Sequence, residues 1–146
     1  LTPLGLDDLA HARQGRAIFA LLVGKAHPLA RRRKLSLLDL SSGGWILPHQ
    51  RAPTRELVTA SFKAKGLGEP KVVVETADPA ITAAILQESD LVTAVSPHLY
   101  HQEIRARRLA ILPLALPQTR RPIGILQRAG GKPSPAARLL MDHIHA

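Results

Sequence analysis

No cysteine occurs in the 146 residues. That excludes disulfides, thiol nucleophiles and every metal site built on thiolate, and it fits a reducing compartment. Aromatic residues are nearly as scarce: two Phe, one Trp and one Tyr. Proteins that hold single-stranded nucleic acid stack its bases on aromatic rings, so a platform of that kind is not expected. Long apolar runs are lacking as well. The stretch from Ala17 to Val23 is among the longest, and it falls far short of the roughly 20 residues that span a bilayer. Residues 1–10 carry Asp7 and Asp8 and no basic segment, so they do not read as a secretory signal. A start at Leu1 rather than Met points to a piece of a longer chain. Catalytic signatures are missing too. There is no G-x-S-x-G, no H-E-x-x-H and no phosphate loop. Gly131-Lys132 comes nearest to a phosphate loop, but Leu126 stands where its first glycine belongs and Pro133 where its hydroxyl belongs.

What is present is an ordinary globular composition, 45% hydrophobic and 21% charged, on a chain long enough to bury a core. Lys and Arg outnumber Asp and Glu by 20 to 11, a net charge of +9. The cations are scattered except in two runs, 31–34 and 105–108. A solubilising basic surface is the expectation, with the 31–34 run as a solvated connection rather than a DNA groove.

Residues 71–97 read as strand, helix, strand. Val72, Val73 and Val74 make a β-branched run. Asp78 can cap a helix that Pro79 opens, and Ile81, Ala84 and Ile85 give it an apolar face. Leu91 to Val95 is a second strand, expected to lie parallel beside the first. Elsewhere Ala17 to Gly24 reads as one strand and Ser36 to Leu40 as a capped helical turn. Trp45 to Pro48 is a strand, and Pro53 to about Lys65 a helix stopped by Gly66 and Gly68. A helix over 97–108 puts Tyr100 and Ile104 on one face. Leu109 to Leu112 is a strand, 113–122 an extended connection with three prolines, and Ile123 to Gln127 a strand. A last helix from Ser134-Pro135 buries Ala136, Leu139, Leu140 and Ile144. Proline follows a capping or loop residue at four helix starts: 52–53, 78–79, 96–97 and 134–135. Leu1 to Arg16 gives little periodicity beyond an Asp7-Asp8 pair that could open a turn. The order of elements is α/β.

The segments AIFALLVGKAHPLA, SLLDL, WILPHQRAPTRELV, KVVVETADPAITAAILQESDLVTAVSP and RRPIGILQRAGGKPSPAARLLMDHI follow in one order between Arg16 and Ile144. Together they resemble the effector-binding domain of LysR-type transcriptional regulators. The resemblance implies a type 2 periplasmic-binding-protein-like fold: two α/β lobes around a cleft, with two crossover segments. Residues 1–24 and 115–146 would belong to an incomplete lobe I and residues 25–114 to lobe II. It also implies a cytoplasmic, non-enzymatic sensor without cofactor, working as a homodimer or homotetramer. DNA would be met only through an N-terminal winged helix-turn-helix that this chain lacks. A transporter's solute-binding protein shares the fold type and is the alternative.

In parallel sheets, ligands bind beyond the carboxyl ends of the strands, where helix N-termini offer unpaired N–H groups. The expected effector contacts are therefore Pro48, His49, Arg51, Thr54, Thr76, Ala77, Ser96 and Pro97. Hydroxyls at Thr54, Thr76 and Ser96, and charge from His49 or Arg51, would suit a small anionic effector. Taken singly, each hydroxyl also reads as an ordinary helix cap. His98 and His101 share a helix face without a clear third ligand, so no metal site is expected.

Overall fold

The structure, a computed structural model, describes residues 9–117, 120–128 and 130–145. Its backbone divides into two units: residues 18–117, and the described residues up to Ala17 together with those from Arg120 onward.

Period-two alternation builds the larger unit. Five strands lie in it: β2 (Ala20–Gly24), β3 (Gly44–Leu47), β4 (Lys71–Glu75), β5 (Val92–Val95) and β6 (Leu109–Ile111), in spatial order β4-β3-β5-β2-β6. Successive side chains leave a strand on opposite faces. Leu21, Val23, Trp45, Leu47, Val92 and Ala94 accordingly pack on one side with Val58 and Phe62 of α1 (Pro53–Ala64). Leu22 and Ile46 pack on the other with Ala83 and Leu86 of α2 (Pro79–Gln87) and with Tyr100 and Leu109. The Trp45 and Phe62 rings meet edge to face, centroids 5.6 Å apart at 81°, and Trp45 Nε1 donates to Leu40 O at 3.4 Å.

β4 and β5 both run parallel to β3, while β2 runs antiparallel to β5 and β6. The strands at 71–75 and 92–95 are thus parallel, but they are not the neighbours that the sequence suggests. The Trp45 strand lies between them, second in the order, and β5 takes the sheet's centre. β4 is consequently an edge, and Val73 is 54% exposed. The expected face of α2 is also corrected. Thr82, Ala83 and Leu86 are buried, while Ile81 is 51% exposed. This helix is apolar nearly all round, so spacing alone cannot choose its buried side. Gly24 shows how closely α2 approaches, since a Cβ there would collide with the Leu86 carbonyl oxygen.

The single strand read over 17–24 is two. β1 (Leu9–Ile18) ends and β2 begins across Phe19. β2 hydrogen-bonds between β5 and β6 in the larger unit. In the smaller unit β1 pairs with β7 (Arg120–Arg128), followed by α4 (Pro135–His145). Pro122 lies inside β7 rather than in a connection, which a two-stranded ribbon permits because each strand has a free edge. The expected buried face of α4 is exposed, with Leu139 at 71% and Leu140 at 61%. No element among the described residues covers it. The Asp7-Asp8 pair lies outside the described residues.

Local devices behave as the sequence predicts at most junctions. Ser36 and Asp39 form a capping box ahead of a 3-10 turn, Leu37–Leu40. Proline opens all four expected elements: α1, α2, α4 and a 3-10 turn at Pro97–Tyr100. The helix expected over 97–108 breaks into that turn and α3 (His101–Arg105). Two helices end in the same hydrogen-bonded motif. After α1, Gly66 N–H donates to Lys63 O and Leu67 N–H to Phe62 O, with Gly66 at φ 68°. After α3, Arg107 N–H donates to Ile104 O and Arg108 N–H to Glu103 O, with Arg107 at φ 57°. Arginine holds there the left-handed position that glycine occupies without a steric cost.

His27 is buried. Its Nδ1 accepts from Leu29 N–H at 3.1 Å and caps a 3-10 turn, Pro28–Arg31. Burial lowers its pKa, against the opposing pull of Asp90.

Three outcomes test this account. Trp45→Ala should cost about 3–5 kcal/mol in urea unfolding. Arg107→Gly should stabilise by about 0.5 kcal/mol, the relieved backbone cost of about 1 kcal/mol being partly offset by a freer unfolded chain. For His27 the folded state binds the proton more weakly than the unfolded chain. Its contribution is therefore complete above pH 6.5 and lost as pH falls through the lowered folded value. The drop in melting midpoint from about pH 7.5 to about pH 5.5 should shrink in His27→Asn, which keeps an acceptor for Leu29 but cannot titrate.

Candidate functional site

The parallel strands β3, β4 and β5 end at Leu47, Glu75 and Val95, and the elements opened by Pro53, Pro79 and Pro97 follow them. Their carboxyl ends enclose an open cavity of about 180 Å³. Pro48, Thr54, Thr76, Ala77 and Ser96 line it. So do Phe19, Pro79, Thr82, Thr93, Leu99 and Tyr100, among others. The structure thus brings together five of the eight residues expected from sequence. His49, Arg51 and Pro97 do not line the cavity. His49 and Arg51 are exposed beside it in sequence, in the loop before α1.

The hydroxyls differ in how far they are already engaged. Thr76 Oγ1 accepts from Asp78 N–H at 3.1 Å, and Asp78 Oδ1 accepts from Ile81 N–H at 2.9 Å. Asp78 is thereby occupied as the α2 cap. Thr82 Oγ1 donates to Asp78 O at 2.8 Å, and Thr93 Oγ1 donates to Ile46 O at 2.8 Å. Ser96 makes no side-chain cap bond although it precedes a helical turn. Ala52, in the cap position of α1, has no side chain with which to satisfy the first-turn amides beside Thr54. Tyr100 is buried. Burial raises its pKa, so the phenol stays neutral and keeps its proton.

Among the described residues no Lys, Arg or His side chain lines this cavity. The nearest guanidinium in sequence, Arg55, is committed elsewhere. It donates to Pro48 O at 3.0 Å and to Glu75 Oε2 at 3.3 Å, tying the β3 loop to the end of β4. Two larger hollows lie elsewhere. One lines the outer side of α1 at Arg55, Thr59 and Lys63, and the other sits at Lys25 and Arg108. Neither combines strand ends with helix N-termini. At the expected histidine pair, His101 Nδ1 lies 3.3 Å from His98 O, and no cluster of three metal-ligating side chains occurs among the described residues.

Comparison with known proteins decides the family. The model for the LysR substrate binding domain matches residues 2–146. The chain belongs to that family. It is similar to the HTH-type transcriptional regulator GalR of Pseudomonas putida, 43% identical over 124 residues, 85% of this chain and 31% of the relative. It is also similar to the HTH-type transcriptional regulator GbpR of Azospirillum brasilense, 32% identical over 121 residues, 82% of this chain and 35% of the relative. The chain thus spans about a third of the length of these relatives. The CcmR regulatory domain of Synechocystis, solved in complex with 2-PG, superposes with a TM-score of 0.82 at 18% identity, over 99% of this chain and 70% of that one. The effector binding domain of QuiR in complex with shikimate gives 0.75 at 17%, over 96% and 65%. The fold is therefore the type 2 periplasmic-binding-protein-like fold of LysR effector-binding domains, and the family is one of transcriptional regulators rather than transporter solute-binding proteins.

Sequence reasoning missed Thr82, Thr93 and Tyr100 in the cavity. Thr82 and Thr93 fall in the interiors of a helix and a strand, away from any turn. Tyr100 reads as a half-buried helix residue until the chain breaks into a 3-10 turn there.

The two capping positions should separate in a mutational test. Asp78→Ala removes a cap in use and should cost about 1 kcal/mol. Ser96→Ala removes an uncommitted hydroxyl and should leave the melting midpoint nearly unchanged. Thermal unfolding of both variants checks this, and equal losses would mean that Ser96 also serves the fold.

Proposed function

We propose that this chain senses a small effector for a LysR-type regulator, and that the effector seats at the carboxyl edge of β3, β4 and β5. The carrying observation is the convergence of three strand ends and three proline-opened helical starts on one hydroxyl-lined cavity. The complexes of CcmR with 2-PG and of QuiR with shikimate support a small molecule as the effector of this fold. Thr54, Thr76 and Ser96 would bind it, with Pro48 and Ala77 shaping the wall. His49, Arg51 and Pro97 would act at the rim. An anionic effector would be held by helix N-terminal amides and hydroxyls, since no cation lines the wall among the described residues.

Binding transmits a signal only if the ligand prefers one arrangement of the regulator over another. In this reading the arrangement is one of lobes within a cytoplasmic homo-oligomer, read out at DNA through a helix-turn-helix outside this chain. The chain itself would do no chemistry.

A thermal-shift screen with small hydroxylated carboxylic acids and sugars tests the reading. A ligand at about 100 times its Kd should add about 2.7 kcal/mol and raise the midpoint by several degrees. Ser96→Ala with Thr54→Val should reduce that shift. A full shift in the double variant would move the site elsewhere.

A further inference from the structure

The two basic runs that stand apart in the sequence meet in the fold. One end of each reaches a single open concavity of about 490 Å³, lined by Lys25, Ala26, Arg31, Gln87, Glu88, Ala106, Arg107 and Arg108. Four cations face one carboxylate. We propose that Lys25, Arg31, Arg107 and Arg108 form a docking face for the sugar–phosphate backbone of duplex DNA, separate from the effector cavity.

Several observations carry this. The cations are mounted on tied backbone rather than on loose loops. Lys25 N–H donates to Arg108 O at 3.0 Å, joining the two segments directly, and the turn bearing Arg31 is capped by buried His27. Among the described residues no carboxylate pairs with Lys25, Arg31 or Arg107, while Arg108 makes only a long contact, 3.7 Å, with Glu103. Cations near helix C-termini offset the helix dipole, which accounts for a charge at Arg108. It does not account for Lys25, which follows a strand, nor for an arginine in the left-handed position of Arg107. The concavity lies where β2, α2 and α3 finish, at the end of the sheet away from the cavity, because β2 runs antiparallel to β5. Both faces can therefore be occupied at once.

The lining chemistry selects the partner. Among the described residues it has no aromatic ring on which an unpaired base could stack, so a single strand is disfavoured. Among the described residues its only apolar side chains are alanines, too small to insert into a lipid surface. Phosphates at regular spacing along a duplex fit it, and membership in a family of DNA-binding regulators puts such a duplex within reach. Contacts of this kind position a protein on DNA and carry no sequence information.

The test is fluorescence anisotropy of a labelled duplex of about 20 base pairs titrated with the 146-residue chain at several salt concentrations. The triple variant Lys25→Gln, Arg31→Gln, Arg107→Gln is compared with an equal charge loss at exposed Lys63, Lys65 and Lys71. The expected result is a tenfold or greater loss of affinity in the first variant. Its slope of log K against log salt should fall by about 2.7, at roughly 0.9 per lost phosphate contact. The control should stay within about threefold, and Arg31→Lys with Arg107→Lys should bind as the parent does. Equal losses in both triple variants would overturn the proposal in favour of diffuse charge. Absence of duplex binding by the parent chain, or tighter binding to anionic vesicles than to duplex, would also overturn it. Circular dichroism melts confirm that each variant folds. The proposal rests on family membership and not on the effector cavity: a ligand-induced thermal shift retained while DNA binding is lost, or the reverse, tells the two failures apart.

Discussion

Everything in the larger unit depends on β3 being buried on four sides. β4 and β5 hydrogen-bond to its edges, and α1 and α2 cover its faces. Four residues, Gly44 to Leu47, therefore join the edge strand β4 to the rest of the sheet. Trp45 and Leu47 commit to the α1 side and Ile46 to the α2 side. A slip of one residue would exchange these faces and send Trp45 toward Leu86. The Trp45–Phe62 contact resists that slip, because it holds the indole edge to face against one particular ring on the α1 side. With β3 fixed, the carboxyl ends of three parallel strands are brought level, and the cavity at their edge follows.

The parts of the fold that were legible share a physical cause: they are decided within a few residues. Ser36 with Asp39, Asp78 with Pro79, Gly66 after α1 and the proline at each helix start all act through local hydrogen bonds or a fixed φ. The parts that were not legible are decided by what lies across the core. The side of α2 that is buried depends on Tyr100 and Leu22, which are distant in sequence. The insertion of β3 between β4 and β5 depends on a strand more than twenty residues upstream of β4. The face of α4 has the right periodicity for burial and no described element against it.

The cavity was legible to the same extent and for the same reason. Its turn residues, Pro48, Thr54, Thr76, Ala77 and Ser96, sit at junctions that sequence marks. Thr82, Thr93 and Tyr100 reach it from the interiors of elements, where the choice of face decides. Charge proved the least transferable expectation. Arg51 and His49 lie near the cavity in sequence and outside it in space, while Arg55, four residues on from Arg51, ends its reach at Pro48 O and Glu75. A guanidinium so engaged braces the loop that bears Pro48 and offers the cavity rigidity instead of charge.

The sheet's polarity sorts the electrostatics that remain. Helices enter the larger unit at one end and leave it at the other, so N–H groups gather around the hydroxyl-lined cavity and carbonyls gather around Gln87 and Ala106. Amide hydrogens at helix N-termini attract small acceptors even without a fixed cation. Carbonyl oxygens repel anions, so the opposite end attracts them only where side-chain cations outweigh the backbone. Lys25, Arg31, Arg107 and Arg108 supply that excess. The same five strands thus separate a concave, hydroxyl-lined end from a basic one. β2 runs between the two ends, preceded by Phe19 at the cavity and followed by Lys25 at the basic end.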